Sequence, residues 1–226
     1  MNQIEKNTVK AENQLKPNED VTFENIQNSG KRIMFAGNSI TLHGKKPDIG
    51  WNNVWGMAAS AKEKDYVHVL ESYINKVIPD ASYCICQAYK WERDYPNGKE
   101  VYPIYQPARD FNSDIIVVRM VENCPWKNFD AVAFKREYVD FINFLNKSGK
   151  AKIILTTSFW KHAADEIIEQ VSVQTGWPLV KINDLGEDDS MKAIGLFEHN
   201  GVANHPGDKG MKTIADRIFE VLKNSL

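Results

Sequence analysis

Residues 32–41 read RIMFAGNSIT. The first five, Arg32–Ala36, form a short apolar run without polar alternation. Such a run suits a strand covered on both faces rather than one half in solvent. Gly37 follows it and lets the backbone leave the strand sharply. Four more runs share this character: Ser82–Gln87 (SYCICQ), Asp114–Arg119 (DIIVVR), Ala151–Thr157 (AKIILTT) and Pro178–Ile182 (PLVKI). Helical periodicity lies between them. Met57–Ile78 carries Ala, Val, Leu and Ile at helical spacing, and Asp130–Asn146 has a stripe of Val132, Phe134, Tyr138, Phe141, Ile142 and Leu145. Ala163–Thr175 and Asp208–Leu222 are two further helices, and a short one is expected near the end of the aromatic segment 91–111. Strands alternating with helices predict an α/β protein in three layers, with a five-stranded parallel sheet and helices on both faces.

The chain has 226 residues, 42% hydrophobic and 26% charged, with a formal net charge of -2. That length and composition suit one α/β domain covering residues 31–226, preceded by a polar extension over 1–30. Within the extension, Thr22–Ile26 has enough alternation for one short edge strand. The charge balance gives no reason to expect nucleic acid or an anionic membrane as partner. Met1–Asp20 has no apolar core of a signal peptide, and no stretch approaches the ~18–20 apolar residues that span a bilayer. The expected location is therefore cytoplasmic. Cys84, Cys86 and Cys124 are too few and too irregular for a disulfide framework or a zinc site, and they read as buried thiols. No spacing of His, Asp and Glu matches a metal motif.

In such sheets, ligands bind beyond the carboxyl ends of the strands. Ser39 sits there, two residues after Gly37, with its hydroxyl expected above the sheet edge. By itself it could equally be a turn serine or helix cap. A serine needs a base to become a nucleophile, and histidine has a suitable pKa. His205, in the segment Asn204-His205-Pro206-Gly207-Asp208 before the last helix, is placed to reach it, although a surface-loop histidine would read the same. Asn123 follows the third apolar run. Its amide could donate to an oxyanion, or bond its own turn.

Taken together, Gly37-Asn38-Ser39-Ile40-Thr41, Glu122-Asn123 and His205-Pro206 resemble the SGNH hydrolase superfamily, the GDSL esterase/lipase group. The resemblance runs from about Arg32 to the end of the chain. It implies a flavodoxin-like fold, hydrolysis of ester or acetyl groups, and no cofactor. It also implies Ser39 as nucleophile, His205 as base, and Asn123 as oxyanion donor beside the Ser39 amide. Asn38 and Glu122, next to the nucleophile and the donor, are expected on the substrate side.

Four positions depart from the pattern. Asn38 stands where aspartate is commoner. Val202 occupies the place, three residues before the histidine, where the family has the aspartate that orients the base. A backbone carbonyl such as that of Val202, or the carboxylates of Glu198 or Asp208, is left to do so. No glycine is evident in Ala88–Glu92, and Val121 takes a place where glycine is common. A further block, from Asp48-Ile49-Gly50-Trp51 through Trp55-Gly56 to Asp65-Tyr66-Val67-His68, is similar to a bacterial SGNH-like subgroup with carbohydrate-active members. Tryptophan faces stack on sugar rings. Trp51 and Trp160 are the expected cleft liners, although packing in the core is the alternative. The other histidines read as ordinary packing or loop residues, although His43 could touch substrate, His162 could stand at the rim and His199 could orient the loop of His205.

Two functions follow. The leading one is a serine esterase acting on short acyl esters, with a small-molecule or carbohydrate ester as partner and an acetylated sugar foremost. The alternative is a carbohydrate-binding protein on the same scaffold with weak catalysis. A nucleotide-binding role lacks a glycine-rich phosphate loop, because Gly37-Asn38-Ser39 supplies one glycine.

Overall fold

The computed structural model describes residues 15–226; the first 14 residues of the polar extension lie outside it. The strands are β1 (Val21–Glu24), β2 (Arg32–Gly37), β3 (Ser82–Gln87), β4 (Ile115–Arg119), β5 (Lys152–Thr156) and β6 (Leu179–Val180). They make one sheet in the order β1-β3-β2-β4-β5-β6. The five expected apolar runs are the five parallel strands. The sixth, β1, comes from the polar extension and pairs antiparallel with β3, Val21 opposite Cys86. It is the short edge strand expected over Thr22–Ile26, beginning one residue earlier, and only Val21 of its four residues is buried.

Alternation along β2 sorts the core. Ile33 and Phe35 pack with Tyr66, Val67 and Leu70 of α1 (Tyr66–Ile74) and with Met211, Ile214 and Ile218 of α7 (Asp208–Leu222). Met34 and Ala36 point the other way, among Phe134, Tyr138 and Phe141 of α4 (Ala131–Leu145) and Ile168 and Val171 of α5 (Ala164–Thr175). Three short helices lie above the sheet or beside it: α2 (Tyr89–Arg93), α3 (Gln106–Asp110) and α6 (Asn200–Ala203). All six β2 residues are covered or nearly so, which explains the unbroken apolarity of that run.

The helix expected over Met57–Ile78 starts only at Tyr66. Ala58 adopts a left-handed φ of 75°, which no helix accommodates. Asp65 then caps the helix, accepting from the His68 amide at 2.9 Å. Its other oxygen accepts from the Gly56 amide at 3.0 Å, which ties the loop before the helix to the helix start.

Candidate active site

Gly37 ends β2 where the chain must turn tightly. A Cβ there would fall 2.6 Å from the Arg119 carbonyl and closer still to the Thr41 side chain. The turn is closed by Thr41 and Leu42, whose amides donate to the Asn38 carbonyl at 2.8 and 2.9 Å. This leaves Ser39 facing a cleft of about 540 Å³ at the carboxyl ends of the strands. His205 and Asn123 line the same cleft.

Ser39 Oγ and His205 Nε2 are 2.8 Å apart. The other ring nitrogen, Nδ1, is 2.6 Å from the Gly201 carbonyl. A carbonyl only accepts, so Nδ1 carries the proton of the neutral ring. Nε2 is then left with the lone pair that receives the Ser39 hydroxyl proton. The aspartate that Val202 replaces is thus answered by a backbone oxygen, but that of Gly201. The Val202 carbonyl accepts from the His205 amide instead, at 2.9 Å. Asp208 is engaged elsewhere, with the Ser60 hydroxyl at 2.7 Å and Lys64 at 3.0 Å. Burial lowers the pKa of His205 to about 4, against the Gly201 hydrogen bond, which raises it. The Trp160 ring stands edge-on to the imidazole, with centroids 5.2 Å apart.

Asn123 is gripped from behind. Its backbone amide and its Nδ2 both donate to Glu92 Oε2, at 3.0 and 2.6 Å. Glu92 lies on α2 and is wholly buried. Its Oε1 accepts from the Val121 amide at 2.5 Å and from Asn38 Nδ2 at 2.9 Å. Asn38 Nδ2 also reaches Glu122 Oε2 at 2.5 Å, and Asn38 Oδ1 accepts from Arg119. Arg119, fully buried, pairs with Glu122 Oε1 at 2.6 Å, and that oxygen accepts from the Phe159 amide at 2.8 Å. Burial and the Glu122 charge push Glu92 above its ordinary value, opposed by its N–H donors. Burial would raise Glu122 as well, but the Arg119 guanidinium outweighs it and holds that carboxyl low.

Asn38 and Glu122 therefore belong to a buried polar network beneath the cleft and do not face a substrate. Trp51 is also inside: it is fully buried and packs against Trp55 and Phe197 at centroid distances of 6.0 and 6.1 Å. Of the two tryptophans expected to line the cleft, Trp160 alone stands beside the paired residues, through its contact with His205. His43 and His199 line the cleft, whereas His162 is buried under Trp126, 4.6 Å between ring centroids.

Glu92 and Arg119 were not singled out in the sequence. The available signal was a charged residue closing an apolar strand, as Arg119 does in DIIVVR. The cleft wall adds Tyr89, Arg93, Lys45 and Lys46, together with Glu19 and Asp20 from the segment before β1. Among the described residues, the Ser39 and Tyr89 amides have no acceptor within the chain. Tyr89 opens α2, where helix amides are left without partners.

Positive φ marks the turn at Val121, at 119°. This is the position where glycine is common, and here a branched, fully buried residue holds the strained conformation. Away from the cleft lining, Glu24, His68 and Glu71 bring metal-capable atoms within 4.8 Å of one another. His68 there already meets Asp65 at 2.7 Å and Glu24 at 3.2 Å, and Lys62 takes Glu24 at 2.8 Å.

No protein-family model matches the sequence, and no curated protein matches it. Solved structures do resemble it. A two-domain esterase active on acetylated mannans, crystallised with mannopentaose, superposes with a TM-score of 0.56 at 15% identity over 89% of this chain. This chain spans about half of that protein, 51% of its length. A psychrotrophic esterase, EstA from Pseudoalteromonas sp., inhibited by monoethylphosphonate, gives a TM-score of 0.58 at 11% identity, covering 86% of this chain and 98% of that one. A member of the lipolytic G-D-S-L family from Veillonella parvula gives 0.54 at 16% identity, covering 86% and 99%. At these identities the likeness establishes the fold. The chain has the architecture of the SGNH, or GDSL-type, hydrolases.

Proposed function

We propose that this protein is a serine esterase that cleaves short acyl esters, with an acetylated carbohydrate as substrate. The observation that carries the reading is the 2.8 Å contact of Ser39 Oγ with His205 Nε2, in a ring whose tautomer is fixed by the Gly201 carbonyl. His205 takes the hydroxyl proton as Ser39 Oγ bonds to the acyl carbon. The carbonyl oxygen becomes an anion facing the Asn123 side-chain amide and the unpartnered amides of Ser39 and Tyr89. Collapse of that intermediate breaks the bond to the alcohol, which leaves with the proton from His205. A water then gives its proton to His205, attacks the acyl-enzyme and releases the acid with Ser39 restored.

A sugar ester fits the cleft lining. Charged and amide side chains there, among them Glu19, Asp20, Lys45, Arg93 and Gln87, offer partners to sugar hydroxyls, and Ile49, Met57 and Tyr89 offer apolar surface to a ring face or a short acyl group. The acetylated-mannan esterase of like fold points to the same substrate class.

Release of p-nitrophenol from p-nitrophenyl acetate, and of acetate from acetylated oligosaccharides, tests the reading. Ser39→Ala is expected to abolish both. Unchanged turnover in that variant would overturn the assignment of the nucleophile. The base without a carboxylate partner favours a second reading, a carbohydrate-binding protein with weak catalysis. Oligosaccharide binding without covalent labelling of Ser39 by a fluorophosphonate would favour that one.

A further inference from the structure

Two features set the oxyanion donor Asn123 apart from an ordinary loop asparagine. Its main-chain and side-chain amides converge on a single oxygen, Glu92 Oε2, at 3.0 and 2.6 Å. The carboxylate that holds them is fully buried and belongs to a different element, α2. A primary amide has two N–H bonds. With one directed at Glu92, the other is left for the cleft. Flipping the Asn123 amide would set its Oδ1 against a carboxylate oxygen, so Glu92 also decides which end of the amide faces where.

The second oxygen works on the rest of the site. Glu92 Oε1 accepts from the Val121 amide at 2.5 Å, within the strained turn that leads to Asn123. The same oxygen accepts from Asn38 Nδ2 at 2.9 Å, one residue before the nucleophile. Four N–H donors thus occupy the lone pairs of one carboxylate, and they come from the turn after β2 and the turn after β4. Glu92 lies behind Asn123, is absent from the cleft lining and has no route to a substrate.

We propose that Glu92 is the positioning residue of the oxyanion site: it aims the Asn123 amide and fixes its distance from the turn that carries Ser39. This rests on the esterase reading. Its effect falls on the transition state, where charge on the substrate oxygen develops, and not on substrate binding. Loss of one oxyanion donor costs roughly 100- to 1000-fold in kcat. A donor that is present but free to turn keeps part of its effect. Glu92→Gln, which turns one acceptor oxygen into an N–H donor facing other N–H groups, is therefore expected to lower kcat by roughly 10- to 100-fold with KM nearly unchanged.

The decisive experiment is a double-mutant cycle on purified full-length protein with p-nitrophenyl acetate. If Glu92 acts through Asn123, adding Glu92→Gln to Asn123→Ala costs no more than about threefold beyond Asn123→Ala alone. Multiplying losses, or an unchanged kcat in Glu92→Gln, would overturn the proposal. Wild-type activity and fluorophosphonate labelling of Ser39 are read in parallel. Their absence would overturn the esterase reading, whereas their presence with multiplying losses would overturn only the role of Glu92. If Glu92→Gln does not fold, the wild type still answers. The Asn123 side-chain amide protons, assigned by their loss in Asn123→Asp, are expected to show one strongly downfield and slowly exchanging partner. Two ordinary, freely exchanging protons would count against the proposal.

Discussion

His205 is oriented by the carbonyl of Gly201, 2.6 Å from Nδ1, and not by a carboxylate. A carbonyl fixes the tautomer as well as an aspartate would, but it brings no negative charge to stabilise the imidazolium. Burial then prevails, and the ring titrates near 4.

The first prediction concerns pH. The proposed mechanism needs His205 neutral to accept a proton. With its pKa lowered to about 4, the neutral form dominates from weakly acidic pH upward. The profile of kcat/KM against pH should fall only as pH drops through about 4, and be flat across pH 5.5–7.5 in a range estimated as roughly one unit or more above the pKa. An acid limb at the ordinary histidine value of about 6.5 would contradict this.

A second prediction concerns Asn38→Asp, which restores the commoner motif residue. Here Asn38 donates to Glu92 at 2.9 Å and to Glu122 at 2.5 Å. An aspartate would turn both contacts into oxygen facing oxygen and put three carboxylates around one guanidinium, all buried. Uncompensated buried charge costs about 3–5 kcal/mol. Chemical denaturation should show a loss of about that size, and equal stability would refute the account.

Val121 yields an ordering of two variants. Its φ of 119° costs on the order of 1–3 kcal/mol for a residue other than glycine. Its buried side chain returns about 1.5–3 kcal/mol. Val121→Gly loses the burial but sheds the strain, so its stability should stay within about 1 kcal/mol of wild type. Val121→Ala loses burial and keeps the strain, and should be the less stable of the two. Thermal melts that rank them the other way would show that packing, not strain, governs this turn.

The last prediction links pH to stability. Burial works to lower His68, but its hydrogen bonds to Asp65 and Glu24 prevail and raise it from 6.5 to about 9. Burial raises Glu71 from 4.5 to about 8. For both, the folded state holds a proton that the unfolded chain releases earlier. The His68 contribution is complete below 6.5 and is lost as pH rises through about 9. That of Glu71 is complete below 4.5 and lost by about 8. Denaturant midpoints should therefore decline from pH 6.5 to 9, and Glu71→Gln should flatten part of the decline. A midpoint constant over that range would refute the assignment.

The fold was legible because the five parallel strands are covered on both faces, so burial wrote itself into the sequence as unbroken apolar runs. β1 showed only as the short alternation of Thr22–Ile26, because three of its four residues are partly buried at the sheet edge. Ser39, Asn123 and His205 were legible as short motifs at strand and loop ends. Their supports were not. The Gly201 carbonyl has no side-chain signature, and Glu92 meets Asn123 only because α2 and the end of β4 are brought together by the sheet. Trp51 shows the converse error. Its place after the nucleophile loop suggested an open face, but Trp55 and Phe197 close over it.

The antiparallel strand β1 has a bearing on how this molecule comes to be made. Val21–Glu24 leaves the ribosome well before β3, the strand it pairs with, and β2 and α1 are synthesised in between. Strand β1 must wait for its partner, and is joined to the sheet at its edge. Just before it, Glu19 and Asp20 line the cleft, and both pair with Lys90 at 2.6 Å, on the helix that carries Glu92. One wall of the cleft is thus finished by residues that precede every parallel strand in the chain, so a nascent chain completes the cleft only after that segment has docked.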